Sequence, residues 1–243
     1  MKKVSKVRTL SLAAALGGTM MLMMRLLHLN TMDAHGLLES GHITGICASV
    51  LALLLPAFLL WQSLVLSKEN NCSFPASIPA TAGYGIGAIG IAITAVQIWP
   101  TQSDPFQLVL SCVGIATAIA TLWLAYNRWQ GVKSNVLLHT LVSLFFILLL
   151  LWQYRQSVTM TQLQLVAYAP VATVCLMISV YHRACFEWKM GQLRLFVFFR
   201  LAAITFSLAA IPGTELWVLY LAGAIWSAAD LANLTIVPQE GGQ

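Results

Sequence analysis

The stretch Asn135-Val-Leu-Leu-His139-Thr-Leu-Val-Ser143-Leu-Phe145-Phe146-Ile-Leu-Leu-Leu-Leu-Trp152-Gln153 contains no Asp, Glu, Lys or Arg. Wound as an α-helix at about 1.5 Å per residue, it reaches about 28 Å, close to the roughly 30 Å hydrocarbon core of a bilayer. Its apolar residues do not alternate with polar ones, so it is no barrel strand, and an open strand in lipid leaves its backbone groups unsatisfied. Working outward, seven further stretches have the same character. The eight spans fall at about 9–29, 43–66, 80–99, 106–127, 135–153, 162–181, 193–211 and 216–236, each near the roughly 20 residues a crossing needs. The connections are short, so the sequence predicts an all-α, polytopic transmembrane bundle of eight helices forming one domain over residues 1–243. Seven helices is the alternative, if the last two spans are one element broken around Pro212 and Gly213.

The composition of the 243 residues agrees. Hydrophobic residues make up 59% and charged residues 9%, against about a quarter charged in soluble domains. The mean hydropathy is +0.80. Soluble globular, disordered and disulfide-scaffold classes are thereby excluded. The five cysteines, Cys47, Cys72, Cys112, Cys175 and Cys185, are odd in number and form no CxxC pair, so neither a disulfide framework nor a zinc ribbon is expected.

The net charge of +5 is distributed by topology. One set of alternate loops holds Lys2, Lys3, Lys6, Arg8, Lys68, Arg128, Lys133, Arg183, Lys189 and Arg194, while the other holds only Arg155, with Asp33, Glu39, Asp104 and Glu215. By the positive-inside rule both termini are expected in the cytoplasm of a cell membrane. The basic excess is assigned to orientation and anionic lipid, with no nucleic-acid partner. The bilayer is the expected partner, beside a membrane-protein partner or a second copy of the chain. The N-terminal basic cluster followed by an apolar run resembles a signal peptide. That run is about 20 residues and no A-x-A site follows it, so it reads as an uncleaved first helix. Trp99, Trp152 and Trp217 fall near outer ends, and Trp123 and Trp129 near an inner end, as interfacial belts do. Gly83, Gly87 and Gly90 in the third span and Gly114, Ala116, Ala118 and Ala120 in the fourth suit close helix approach, which places these two helices at the centre of the bundle. No internal repeat is found.

Chemistry-bearing residues are few. The first outer loop gathers His28, Asp33, His35, Glu39 and His42, a donor set of imidazoles and carboxylates suited to zinc. Part of it, Gly36-Leu37-Leu38-x-x-Gly41-His42, resembles the turn after the first helix in uncharacterised multi-pass bacterial membrane proteins. That resemblance implies a bacterial multi-pass membrane protein and carries no activity. His28 with His42, and His139 with His182, form an outer and an inner histidine pair, the arrangement of a two-haem membrane cytochrome. Met20, Met21, Met23 and Met24 are adjacent and so diverge around their helix, which favours packing or lipid contact over copper binding. Thr81-Ala82-Gly83-Tyr84-Gly85 resembles a potassium filter, but Pro75 and Pro79 leave no room for a pore helix before it. Arg25 is expected to snorkel outward or to reach Asp33 or Glu39. Arg200 and Asp230 lie at matching depths of the last hairpin, so an intramembrane ion pair between them is predicted. There is no GxSxG, HExxH, P-loop or dinucleotide fingerprint.

The sequence thus leads to an integral membrane protein that is a small permease-like transporter or an accessory subunit. The alternative is a metal- or haem-dependent membrane enzyme working through the outer-loop cluster. No cofactor is named by any motif, and catalytic residues stay unknown.

Overall fold

The computed structural model describes residues 2–31, 43–66, 72–100, 104–157, 167–188 and 190–236, with side chains from residue 6 onward. Among the described residues there are eight helices: α1 (Lys2–Leu29), α2 (Ile43–Leu64), α3 (Ile78–Gln97), α4 (Pro105–Gln130), α5 (Val136–Ser157), α6 (Tyr168–Glu187), α7 (Leu193–Ala210) and α8 (Trp217–Ala232). Seven are long and apolar enough to cross a membrane, and α8 is a shorter apolar helix of 16 residues. The chain is an all-α, polytopic integral membrane protein.

Local chemistry sets several ends. Ser77 caps α3 by accepting from the Ala80 N–H at 3.4 Å. The Asp104 carboxylate caps α4 by accepting from the Phe106 N–H at 2.9 Å, and Pro105 follows at the first helical position, where its missing N–H costs nothing. Gly131 ends α4 with φ of 67°, a left-handed conformation open to glycine, and the Val132 N–H closes back onto the Asn127 carbonyl. A second positive-φ glycine, Gly213, turns the chain between α7 and α8, so the last two spans are two helices and not one broken element.

Several boundaries differ from the sequence reading, with α1 beginning at Lys2 and α5 running to Ser157 among them. The fourth span continues through Arg128 to Gln130, and the sixth ends at Glu187, six residues past the expected limit. Both extensions carry an arginine inward rather than into a loop. The eighth span stops at Ala232, and Thr235–Ile236 (β2) pairs antiparallel with Cys72–Ser73 (β1). β-branched Thr235, Ile236 and Val237 with Pro238 behind them suit extended chain better than a helix end.

Consecutive helices reverse direction. At one end of the bundle Arg8 Nη2 donates to Ala232 O at 3.4 Å, Arg194 Nε to Leu66 O at 2.7 Å and Arg128 Nη1 to Phe74 O at 2.7 Å. This basic end therefore collects the start of α1, the ends of α2, α4 and α8, and the starts of α3 and α7. At the opposite end Arg155 meets Asp104 at 3.5 Å, and Arg25 reaches the end of α7.

The central helix is α7, with 13 of its 18 residues buried; it packs against α1, α2, α6 and α8. The expectation that α3 and α4 hold the centre is corrected by this. Apart from Arg194 in its first turn and Arg200, α7 is apolar or small on every face, the pattern of an enclosed helix. The glycines of α3 do allow close approach, but mainly to α8. A Cβ at Gly83 would lie 2.5 Å from the Ala229 Cβ, one at Gly90 2.5 Å from the Ala222 Cβ, and one at Gly87 2.9 Å from the Trp226 ring. Gly114 of α4 faces Ala95 and Phe145 instead. In α1 the methionines separate: Met21 is buried while Met20 and Met23 are exposed.

Gly90→Ala should lower stability by about 1–3 kcal/mol through overpacking against α8. Gly85→Ala, whose added methyl meets nothing within 4 Å, should be neutral or stabilising by up to about 1 kcal/mol. Thermal unfolding of the two variants in one detergent checks the contrast.

Candidate functional site

Two layers of buried polar side chains link helices to one another, beside single buried groups such as Ser111, Thr117 and Ser207. The layer away from the basic end joins α5, α6 and α8. Gln153 Nε2 donates to Tyr220 Oη at 2.5 Å, Thr173 Oγ1 donates to Gln153 Oε1 at 3.1 Å, and Tyr220 Oη lies 3.1 Å from the Ala169 carbonyl. Its hydrogen bonds close on themselves, which ties three helices together.

The layer nearer the basic end is built differently. Ser227 and Asp230 are three residues apart on α8 and share a face. They meet Arg200 from α7 and Tyr84 from α3. Arg200 Nη2 lies 2.5 Å from Asp230 Oδ2, and both side chains are 0% exposed. Arg200 Nη1 donates to Ser227 Oγ at 3.3 Å, and the Tyr84 hydroxyl donates to Asp230 Oδ2 at 3.4 Å. The guanidinium lies 5.2 Å from the Trp226 ring and 5.6 Å from the Phe196 ring, so aromatic faces surround the cation. Trp226 in turn sits against Tyr84 with 5.1 Å between ring centroids, over the space that Gly87 leaves open. The layer is not closed. Asp230 Oδ1, Arg200 Nε and Trp226 Nε1 are buried and have no hydrogen-bond partner among the described residues. Neither do the two ring nitrogens of buried His139, near the start of α5.

The remaining expected residues are dispersed. Arg25 is buried, donates to Ala209 O at 2.5 Å and lies 4.4 Å from the Tyr168 ring centroid. It thereby serves a carbonyl in the last turn of α7, the end of a helix that favours cations. His28 Nδ1 lies 3.3 Å from Thr44 Oγ1, and its ring fills the space above Gly45. Asp33, His35, Glu39 and His42 lie outside the described residues. Among the described residues no three His, Cys, Asp or Glu side chains form a group that could hold a metal. His139 is fully buried, whereas His182 is half-buried and stacks on Phe199 at 5.9 Å. Of the belt tryptophans, Trp99, Trp123, Trp129 and Trp217 are exposed.

Sequence reading missed Arg128 and Arg183. It took both as loop charges, yet both are buried. Arg183 Nη1 pairs with Glu187 Oε1 at 2.9 Å one turn on. An i, i+4 arginine–glutamate spacing at the end of an apolar span was the available signal. Trp226 carried no such signal.

No protein family, curated protein or solved structure matches the chain. Its chemistry therefore rests on its own geometry.

Removing one partner of the Arg200–Asp230 pair leaves an uncompensated buried charge, which costs about 3–5 kcal/mol. Arg200→Leu alone should therefore unfold at a clearly lower temperature than Arg200→Leu with Asp230→Leu. Equal melting temperatures for wild type and the single variant would show that the pair contributes nothing.

Proposed function

We propose that the protein is a small permease-like transporter in which Arg200 and Asp230 form the polar element that contacts the transported solute. Arg200 and Asp230 are held at full burial between a membrane-spanning helix and the shorter apolar helix α8, while Asp230 Oδ1 and Arg200 Nε are left without partners among the described residues. That observation carries the reading. A pair serving architecture alone gains by satisfying every donor and acceptor, because an unmet buried polar atom costs about 1–3 kcal/mol. The Gln153–Thr173–Tyr220 layer of the same bundle does so. Intramembrane ionisable groups facing a bundle interior mark solute or proton pathways. Tyr84 and Ser227 hold the pair from two sides and tune its geometry.

In this reading the basic end faces the cytoplasm, following the loop charges, and both termini lie there. A reporter fused to the C-terminus should read cytoplasmic, and an external reading would reverse the orientation.

Transport requires that the pair become reachable from water. In a background lacking the five native cysteines, Ser227→Cys should react with a membrane-impermeant thiol reagent in proteoliposomes. If Cys at 227 reacts only after unfolding in strong detergent, the pair is sealed. The protein is then an accessory subunit rather than a carrier.

A further inference from the structure

We propose that the basic end of the bundle carries a binding site for a phosphate-type oxyanion, set between Arg128 of α4 and Arg183 of α6. Neither Arg200 nor Asp230 lines it, although the Asp230 carboxylate acts electrostatically on both arginines, and it does not depend on the transport reading.

The two arginines line a cavity of about 250 Å³ together with Gly131, Lys133, Ser134 and Glu187. Both are nearly withdrawn from solvent, Arg128 at 7% and Arg183 at 4% exposure. A buried guanidinium is costly unless its charge and its five donors are matched. Here the matching is incomplete. Arg128 Nη1 donates to Phe74 O at 2.7 Å, and Arg183 Nη1 donates to Glu187 Oε1 at 2.9 Å. Arg128 Nε and Nη2 and Arg183 Nε are buried without a partner among the described residues.

The identity of the free atoms indicates the ligand. Nε and Nη2 form one edge of a guanidinium, the edge whose two parallel N–H groups take two oxygens of a phosphate or carboxylate together. Arg183 Nε adds a third donor, and the exposed ammonium of Lys133 adds a mobile cation at the mouth. Among the described residues, one carboxylate, Glu187, faces three cations in the lining. The surplus of two positive charges suits a dianion better than a single carboxylate. Phe74 holds the arrangement in place: its ring centroid is 5.3 Å from the Arg128 guanidinium carbon and 3.9 Å from that of Arg183. Two cations gathered at one ring in a low-dielectric setting repel, and an anion between them relieves that repulsion. Gly131, left-handed at the C-terminus of α4, turns the chain so that Lys133 and Ser134 return to the rim.

The same phosphate chemistry is presented by a free anion and by the headgroup of an anionic lipid lying against this end. The full-length protein in a neutral detergent should bind inorganic phosphate by calorimetry at fixed ionic strength if the ligand is free. It should instead retain phosphatidylglycerol over phosphatidylcholine in native mass spectrometry, after incorporation in mixed nanodiscs, if the ligand is a headgroup. Either result, lost at least tenfold in Arg128→Gln, supports the site. Lys133→Gln, on an exposed loop, should weaken the same probe about threefold without changing the melting temperature. Glu187→Gln should tighten it by removing the opposing carboxylate. Should Arg128→Gln fail to fold, the Lys133 and Glu187 variants decide. Absence of binding by both probes, or affinities unchanged across the variants that fold, overturns the proposal.

Discussion

The guanidinium of Arg200 sits on the most enclosed helix of the bundle, where no water can screen its charge. A cation in that position requires a carboxylate within hydrogen-bond reach, and Asp230 can supply one only if α8 lies directly beside α7. The other close contact of α8 follows from α3. Gly83, Gly87 and Gly90 remove the side chains that would hold α3 and α8 apart, and the space above Gly87 is taken by the Trp226 ring. Tyr84, carried on the same turn of α3, then reaches Asp230 with its hydroxyl. Neutralising one buried charge thus depends on three helices at once. The short antiparallel pairing of Cys72–Ser73 with Thr235–Ile236 anchors the chain just beyond the end of α8.

The bundle interior is layered. Toward one end, Gln153, Thr173 and Tyr220 satisfy one another and the Ala169 carbonyl. Between the polar layers along α5 and α6 come Phe145, Phe146, Leu149 and Leu176, all fully buried. Toward the basic end come the partly satisfied groups: first Arg200 with Asp230, then Arg128 and Arg183 at the cavity. In hydrocarbon, association of helices draws on packing and interhelical hydrogen bonds because apolar burial gives no preference for protein over lipid. The closed layer and the glycine contacts supply those terms. The open valences near the basic end contribute little to packing.

Much of the fold was legible along the chain. The eight apolar runs and the short connections are visible because a crossing calls for about 20 apolar residues, although the helices range from 16 to 28 residues. Errors concentrate at the ends. A hydropathy reading stops a span at its first charge, so Arg128 and Arg183 were taken for loop residues. Each stays helical and buried because it finds partners inside the bundle, the Phe74 carbonyl and ring for one and Glu187 for the other. Arg200 and Asp230 stand out in the sequence as charges within apolar runs, and the structure sets them 2.5 Å apart. Trp226 does not stand out, because a tryptophan in an apolar helix is equally at home in lipid, at the interface or in the core.

By itself, the sequence determined that the chain lives in a membrane as a bundle of helices, and that its basic residues collect at alternate turns of the chain and the span ends beside them. These are properties of the chain read in one dimension, set by the cost of exposing backbone and charge to hydrocarbon. Only the tertiary structure decided which helix is central, which neighbour the glycines of α3 receive, and which arginines turn inward. Helices apolar on nearly every face carry no strong stripe to mark the side that packs, so rotation and pairing are chosen by shape and by a few buried hydrogen bonds between residues far apart in the chain.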